Sequence, residues 1–600
     1  MSRIYVPRTV VQAIEDAAKS TATGYRFVDE NSEAEPFFSH AGIERASARF
    51  GGALQALGLE KGDRVALILP DNADFVFAFL GAVRAGIVPV PIYPPTGLGK
   101  LSGYLENTLH IVDKSGAKVL VTTGEIRRLL GTVQASAPGL RKVADVDELK
   151  AQREELRPVK VALHDTCFLQ FTSGSTSRPK GVTLTHENLA ANIHAIMDLG
   201  LGVTPADHGV SWLPLYHDMG LIGFVLAPLY HVNSITFLPP LLFLKRPAKW
   251  IETMARHRGT ISFGPNFAYA LCVKRIKDAE VSHLDLSSWR VAGCGAEPIR
   301  ADNLRAFADK FERIGFNHRA FVSCYGMAEA TLAVSFSPLG QGVLVDKVDA
   351  QKLWSEQHAE PREDDDAAQI VSCGRAFPDH DIAVFSPDDA KSEHPLPERS
   401  VGELRLRGPS LMTGYYGEPE LTQQAFAGGW LKTGDLGYLA GGDVHICGRS
   451  KEVIIVNGRN YYPQDLEWEA SRVEGVRKGN VIAFGTMKPT MDRERVVIAL
   501  ETAVPAGELR EKLKGEVRRV VQQAIGLTVD DVIPLDVGVL PKTSSGKLQR
   551  AKTRELYETN ELYARGSARK VDTVETVKEV VKSQIGYFKH ALLGGLEKKD

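Results

Sequence analysis

Cysteine is scarce in this chain: six among 600 residues, at positions 167, 272, 294, 324, 373 and 447, with no CxxC or metal-ligand spacing. That excludes a disulfide framework and a thiolate zinc site, and the six are expected as small buried hydrophobes of a reducing compartment. Excess charge of one sign is missing too. A formal net charge of −2 gives no long-range pull toward nucleic acid or an acidic membrane. Long apolar runs are absent; the most apolar stretch, Met219 to Tyr230, is shorter than the roughly 18 residues of a spanning helix. The N-terminal MSRIYVPRTVVQAIEDAAKS carries charges throughout and has no apolar core segment, so no secretory signal is expected. Repeats at solenoid-like periods are not detectable. The expectation is a cytoplasmic soluble protein with no nucleic-acid partner and no membrane span.

The length calls for several packed subdomains at the usual ~100–200 residues per domain. A hydrophobic fraction of 44% and a charged fraction of 24% are ordinary for a globular protein. From Glu44 to Leu59 the pattern is helical, followed by the strand RVALILP, a second helical run (FVFAFLGAVRAG) and the extended VPVPIYPP. Strands recur at Lys118–Thr122, Thr166–Thr172 and Ser234–Leu238, and this alternation predicts a parallel α/β sheet. Between Asp346 and Gln369 the chain turns polar and acidic, which reads on composition as a solvated surface insertion at about 346–370. GELRLRG and YLAGGDVHICG then suggest antiparallel β structure. From Lys451 a smaller unit alternates strands (EVIIVNG, NVIAFG, RVVIALE) with an amphipathic helix near Glu508–Ile525. In the tail, Val571, Val574, Val577, Val581, Ile585 and Phe588 fall at helical spacing, the pattern of an amphipathic helix that packs on its own domain or docks elsewhere.

Six segments carry chemistry. Thr172, Ser173, Gly174, Ser175 and Thr176, with Lys180 beyond them, directly follow a strand. Hydroxyls, glycines and bare amides in one loop can wrap phosphate oxygens, and a lysine adds a point charge. The spacing GxxxxGK[ST] is absent, so this is not a Walker A loop. Gly293-Cys-Gly295-Ala296-Glu297-Pro298 fails GxGxxG because Pro298 occupies the third glycine's place, which argues against a Rossmann dinucleotide site. Tyr325-Gly326-Met327-Ala328-Glu329 offers an aromatic able to stack on a purine and a carboxylate able to hold Mg²⁺. Thr433-Gly434-Asp435 supplies a turn carboxylate suited to two ribose hydroxyls. Gly448-Arg449-Ser450-Lys451 and Pro541-Lys-Thr-Ser-Ser-Gly546-Lys547 complete the set. Singly, Asp435 could cap a turn and Arg449 or Lys547 could be a surface charge; the ordered set is harder to explain away.

With these motifs the chain, over Phe38 to about Leu556, resembles the adenylate-forming superfamily of acyl-CoA synthetases, luciferases and peptide-synthetase adenylation domains. Within it the sequence is most similar to the fatty acyl-AMP ligases, through Ser211-Trp-Leu-Pro-Leu-Tyr-His217-Asp218-Met219-Gly220, Gly264-Pro265-Asn266-Phe267, Val371-Ser-Cys-Gly374 and Gly458-Arg-Asn-Tyr-Tyr-Pro463. The acidic insertion falls where that subfamily carries an extra segment.

The resemblance implies a large N-terminal domain (1–450) of α/β subdomains plus a β-barrel-like subdomain, a small mobile α+β C-terminal domain (451–560) and a helical tail (561–600). It implies ATP and Mg²⁺ as cofactors and a fatty acid as substrate. Ser173 to Thr176 and Lys180 would handle the β- and γ-phosphates, and Glu329 with Thr176 would hold Mg²⁺. Gly295, Ala296, Glu297 and Pro298 would border the adenine, on which Tyr325 stacks beside Gly326 and Met327. Asp435 and Arg449 would take the ribose, and Lys547 the α-phosphate and acyl carboxylate. His217 would lie beside that carboxylate, with Met219, Gly220, Pro265, Asn266 and Phe267 lining the acyl channel. Lys451 would be the hinge.

The expected acceptor is the phosphopantetheine arm of a separate acyl carrier protein, with CoA poor or unused. The alternative is an acyl-CoA synthetase. A catalytically dead sensor is disfavoured by intact Lys547, Glu329 and Asp435. Leu592-Leu-Gly-Gly-Leu596 resembles a carrier motif but lacks the serine that would bear the arm, so any carrier is another chain.

Overall fold

The computed structural model describes residues 5–29, 34–95, 101–172, 178–364, 367–387, 394–456, 459–487, 494–542 and 547–562. Ser173 to Thr176, Gly458, Gly546 and the tail helix expected at 571–588 lie outside the described residues.

The strand Arg64–Ile68 is buried along nearly all its length because parallel neighbours and helices cover it. It lies between Val88–Pro91 and Ala117–Thr122, with Lys142–Asp145 beyond, in a four-stranded all-parallel sheet. Two helices attend it: His40–Ala56, capped by Ser39, and Asn72–Arg84, capped by Asp71. Each cap side chain accepts a first-turn N–H that has no partner within the helix.

A second, nine-stranded sheet carries the larger core. Its middle strands Gly24–Phe27, Ser234–Phe237, His208–Ser211, Ile261–Gly264, Val291–Cys294 and Phe321–Gly326 run parallel, with antiparallel strands at both edges. The apolar stretch from Met219 to Tyr230 packs against this core within a helical run, Asp218–His231, that has a π-helical middle. Among the described residues no helix is long and apolar enough to cross a membrane.

Thr166–Thr172 departs from the expected parallel arrangement. It pairs antiparallel with Lys180–Thr185, in a small sheet completed by Gly414–Tyr415. Only residues 173–179 connect the two strands, and a parallel crossover needs a dozen or more.

The antiparallel β unit contains Asp381–Phe385, Gly402–Arg407, Phe426–Ala427, Trp430–Ala440 and Asp443–Arg449. Its last hairpin turns at Gly441 and Gly442, with φ of 58° and 83°, which suits a two-residue turn matched to strand twist. The terminal α+β unit sets a three-stranded sheet (Val476–Thr486, Arg495–Thr502, Asp531–Leu535) against helices Pro463–Ser471 and Glu508–Ile525. The second helix buries Leu513, Val517, Val521 and Ile525, one residue per turn.

The acidic insertion is more ordered than its composition suggests. Val345–Val348 pairs with Ala368–Val371, and the helix Ala350–Ser355 between them is capped by Asp349. Asp346 accepts the Tyr438 hydroxyl at 2.8 Å, while Val348 and Leu353 are buried beside Tyr438 and Tyr462. Charges face water on one side and a wedge of apolar contacts holds the other.

Candidate active site

Four of the motif segments leave the carboxyl ends of adjacent parallel strands. Trp212 to Asp218 follows His208–Ser211, Pro265 to Phe267 follows Ile261–Gly264, Gly295 to Pro298 follows Val291–Cys294, and Met327 to Glu329 follows Phe321–Gly326. The carboxyl edge of such a sheet is where ligand sites form, since loops there converge without disturbing the strands. A cavity of about 3340 Å³ opens along this edge and continues to the terminal unit, touching His217, Glu297, Tyr325, Glu329, Asp435, Arg449 and Lys547.

The backbone at the centre is tightly constrained. A Cβ on Gly295 would stand 2.3 Å from the Cys324 sulfur, so only glycine lets the two strand ends approach. Ala296 follows in the left-handed region at φ 67°. Glu297 then turns inward and accepts the Phe267 N–H at 2.6 Å, while Asn266 accepts the Arg300 N–H at 3.0 Å. These reciprocal bonds fasten the 295–300 turn to the start of helix Asn266–Arg275. Glu297 therefore has a structural task beside its place at the expected adenine border.

Asp435 and Arg449 are opposite partners in the Trp430–Ala440/Asp443–Arg449 ladder, which is why residues 14 apart meet. Arg449 Nε donates to Asp435 Oδ1 at 2.9 Å, and the Tyr325 hydroxyl donates to Oδ2 at 2.8 Å. Thr433 Oγ1 accepts the Asp435 N–H at 3.0 Å. Asp435 with Arg449 beside it forms a polar corner at the cleft wall, and buried Tyr325 lines the cavity against it.

Glu329 accepts the Tyr415 hydroxyl at 2.9 Å, and burial raises its carboxyl above the usual range. Lys180 lies 4.9 Å from the centre of the Tyr415 ring. Tyr415 thus joins the phosphate-side lysine to the carboxylate expected at the metal. A lone Tyr-Tyr pair after Gly414 offers no sequence signal for that task. Among the described residues no group of three or more His, Cys, Asp or Glu side chains could hold a metal. One carboxylate suits Mg²⁺, which keeps waters and takes its other ligands from phosphate oxygens.

On the other side, His217 caps the helical turn Asp218–Gly220 and its Nδ1 pairs with Asp218. Asp218 also accepts the Met219 N–H at 2.7 Å. Burial would raise the Asp218 carboxyl, but His217 and Lys547 hold it below its ordinary range. Lys547 comes from the terminal unit. It lies within electrostatic reach of Asp218 and Glu297, and of Asp435 and Arg449; burial lowers its pKa below the lysine norm despite the carboxylates. Away from this polar end the cavity is walled by Met219, Phe224, Ile235, Phe263, Phe267 and Leu271, an apolar arm suited to a hydrocarbon chain. Gly220 and Pro265 serve as backbone: a Cβ on Gly220 would be 2.3 Å from the Pro214 carbonyl oxygen, and Pro265 begins the turn into its helix.

A polar corner at the strand ends, apolar cavity walls and a lysine supplied by a second unit fit an acid-activating enzyme. The chain matches the model of the AMP-binding enzymes over residues 15–416, and it belongs to that family, within the adenylate-forming superfamily. It is 33% identical to the long-chain-fatty-acid–AMP ligase FadD32 of Mycolicibacterium smegmatis, covering 93% of this chain and 95% of that one. A putative acyl-CoA synthetase of Caulobacter vibrioides is 37% identical, covering 92% and 95%. Among solved structures, one from studies of fatty acyl-adenylate ligases of E. coli and L. pneumophila superposes with a TM-score of 0.87 at 36% identity, covering 94% of this chain and 99% of that one.

Proposed function

We propose that this enzyme condenses a fatty acid with ATP to a fatty acyl-adenylate, releasing pyrophosphate, and then passes the acyl group to the phosphopantetheine thiol of a separate acyl carrier protein. A carboxylate resists acyl transfer because it is anionic and its oxygen leaves poorly. Attack of a carboxylate oxygen on the α-phosphorus forms the C–O–P mixed anhydride, and the bond to pyrophosphate breaks. The barrier comes from bringing two anions together and from charge spreading over the α-phosphate, so catalysis is positioning and electrostatics.

The observation that carries the reading is Lys547 in electrostatic reach of Asp218 and Glu297, in one cavity that the Asp435–Arg449 corner and a set of apolar side chains also line. Lys547 bridges the α-phosphate and the acyl carboxylate. Asp435 takes the ribose hydroxyls with Arg449, Tyr325 packs on the adenine, and His217 orients the carboxylate. Lys180 and the loop from Thr172 handle the outer phosphates. Mg²⁺ on Glu329 would neutralise phosphate charge. The chain pivots at Lys451, between the large and small domains, when the second half-reaction begins.

Support for the carrier as acceptor comes from a relative named as a medium-chain-fatty-acid–[acyl-carrier-protein] ligase, JamA of Moorena producens, 31% identical, and from the wedge the insertion forms against Tyr462. The test is a product assay with ATP, Mg²⁺ and fatty acids of graded length, offering CoA and a phosphopantetheinylated carrier in parallel. Acyl-AMP that persists with CoA and is consumed by the carrier is the expected result. Rapid acyl-CoA formation would move the enzyme to the synthetases; absence of any acyl-AMP would overturn adenylation itself.

A further inference from the structure

Arg550 lies three residues beyond Lys547 at the start of helix Arg550–Glu558. The described chain flanking the lysine is paired: Lys542 bridges to Leu548, and the Gln549 N–H donates to the Pro541 carbonyl at 2.9 Å. Arg550 thus follows directly on the paired stretch that contains Lys547.

All three guanidinium nitrogens of Arg550 are engaged. Nε donates to the Ala483 carbonyl at 2.9 Å, Nη2 to Glu467 Oε1 at 2.6 Å, and Nη1 to Glu452. Glu467 also accepts the Ala483 N–H at 2.9 Å, so the arginine is embedded in a cross-braced knot. Its side chain is 16% exposed, and those of Glu452 and Glu467 are 10% and 18% exposed. Desolvation works against both charge types here, and the pairing outweighs it for Arg550, whose pKa is raised. Such a buried, half-redundant ionic cluster is a costly way to stabilise a fold, and hydrophobic residues of similar volume often serve as well. Its placement is more telling than its energy. Glu452 belongs to the turn Ser450–Glu452 that directly follows Arg449. Arg449 feels Glu452 as well as Asp435. Charges thus alternate Asp435, Arg449, Glu452, Arg550, Glu467, from the nucleotide corner, across the segment joining the two units, to the root of the lysine loop.

We propose that Arg550 is a positioning residue that sets Lys547 in its adenylating place by tying the lysine loop to Glu452, and through it to the Asp435–Arg449 corner. The inference rests on the adenylation reading and adds to it a line of force from the ribose site to the lysine. The three guanidinium nitrogens of Arg550 are taken up by protein acceptors at the edge of the cavity. It acts by making the position of Lys547 conditional on the turn at 450–452. A lysine in its place keeps the charge but cannot span three acceptors.

The test is a double-mutant cycle on acyl-AMP formation by the full chain, with ATP, Mg²⁺ and a fatty acid that wild type accepts. Arg550→Met is expected to lower kcat on the order of 100-fold, the effect of displacing a catalytic group by about 1 Å, with KM for ATP changing less than about threefold. Arg550→Lys recovers part of the loss. In a Lys547→Ala background Arg550→Met has no further effect, because it acts only through the lysine. A structural role alone would instead add its loss to that of Lys547→Ala. Glu452→Gln, which leaves Arg550 paired with Glu467, carries the same cycle should Arg550→Met fail to melt cooperatively; its loss of roughly tenfold should likewise vanish beside Lys547→Ala. Multiplicative losses, or Arg550→Met with wild-type kcat, would overturn the inference. Wild type that makes no acyl-AMP would instead remove the reading beneath it.

Discussion

Glu297 Oε1 accepts the backbone N–H of Phe267 at 2.6 Å, so the turn expected at the nucleotide also holds the first residues of the helix that walls the apolar arm. Two binding regions share one carboxylate. Glu297→Ala frees that N–H and loosens the helix start, and KM for the fatty acid should rise about tenfold, the ~1.4 kcal/mol of one good hydrogen bond to a charged group. KM for ATP measured on the same variant should rise less.

Lys547→Ala removes the cation proposed to bridge the reacting anions. The rate of acyl-AMP formation should fall on the order of 10²–10³-fold, as when a preorganised charge-stabilising group is lost. Equilibrium binding of ATP should change by less than about threefold. A near-normal adenylation rate would remove Lys547 from the mechanism.

Asp435→Asn keeps the shape of the ribose corner but breaks its ion pair with Arg449 and weakens its hold on the Tyr325 hydroxyl. KM for ATP should rise roughly 10- to 100-fold, at about 1–3 kcal/mol for a charged hydrogen-bonding group. The KM for fatty acid serves as the internal control.

The lowered pKa of Lys547 places its deprotonation below the ordinary lysine value of 10.5. In the free enzyme the ammonium is the working form. The basic limb of kcat/KM for adenylation should therefore descend before pH 10.5, and the limb should be missing in Lys547→Arg.

Stability has its own pH window. Burial lowers His40, His186 and His208 to about 4 from an ordinary 6.5. The unfolded chain thus binds more protons than the fold between those values. Stability from these neutral histidines is complete above about 6.5 and is lost as pH falls toward 4. Calorimetric melting temperatures should decline from pH 7 to 5, and more shallowly in His186→Gln.

Local signals were legible where one stretch of chain decides the outcome. The helix Glu508–Ile525 and the strand Thr166–Thr172 stand where their periodicity puts them. That strand runs antiparallel to Lys180–Thr185, a partner that the surrounding phosphate-loop residues hide from a reading of strand periodicity. The insertion was read by its charges, while Val348 and Leu353 fix it in place. The motifs that converge on the cleft were recognisable because each sits in one short segment. Glu452 and Glu467, 98 and 83 residues from Arg550, leave no such trace, since their meaning arises only when the terminal unit folds. Tyr415 escaped for the same reason: 86 residues separate it from Glu329.

The resting neighbours of Lys547 also decide which solutes the empty enzyme ignores. An ammonium facing only apolar walls would capture chloride, inorganic phosphate or any short carboxylate in the cell. With Asp218 and Glu297 in electrostatic reach of it, a small anion would gain less by approaching. Only a guest gripped elsewhere at the same time, along a hydrocarbon tail or by a sugar, can draw the lysine away from them. The charges around Lys547 would thus favour long or sugar-bearing guests over the abundant small ions.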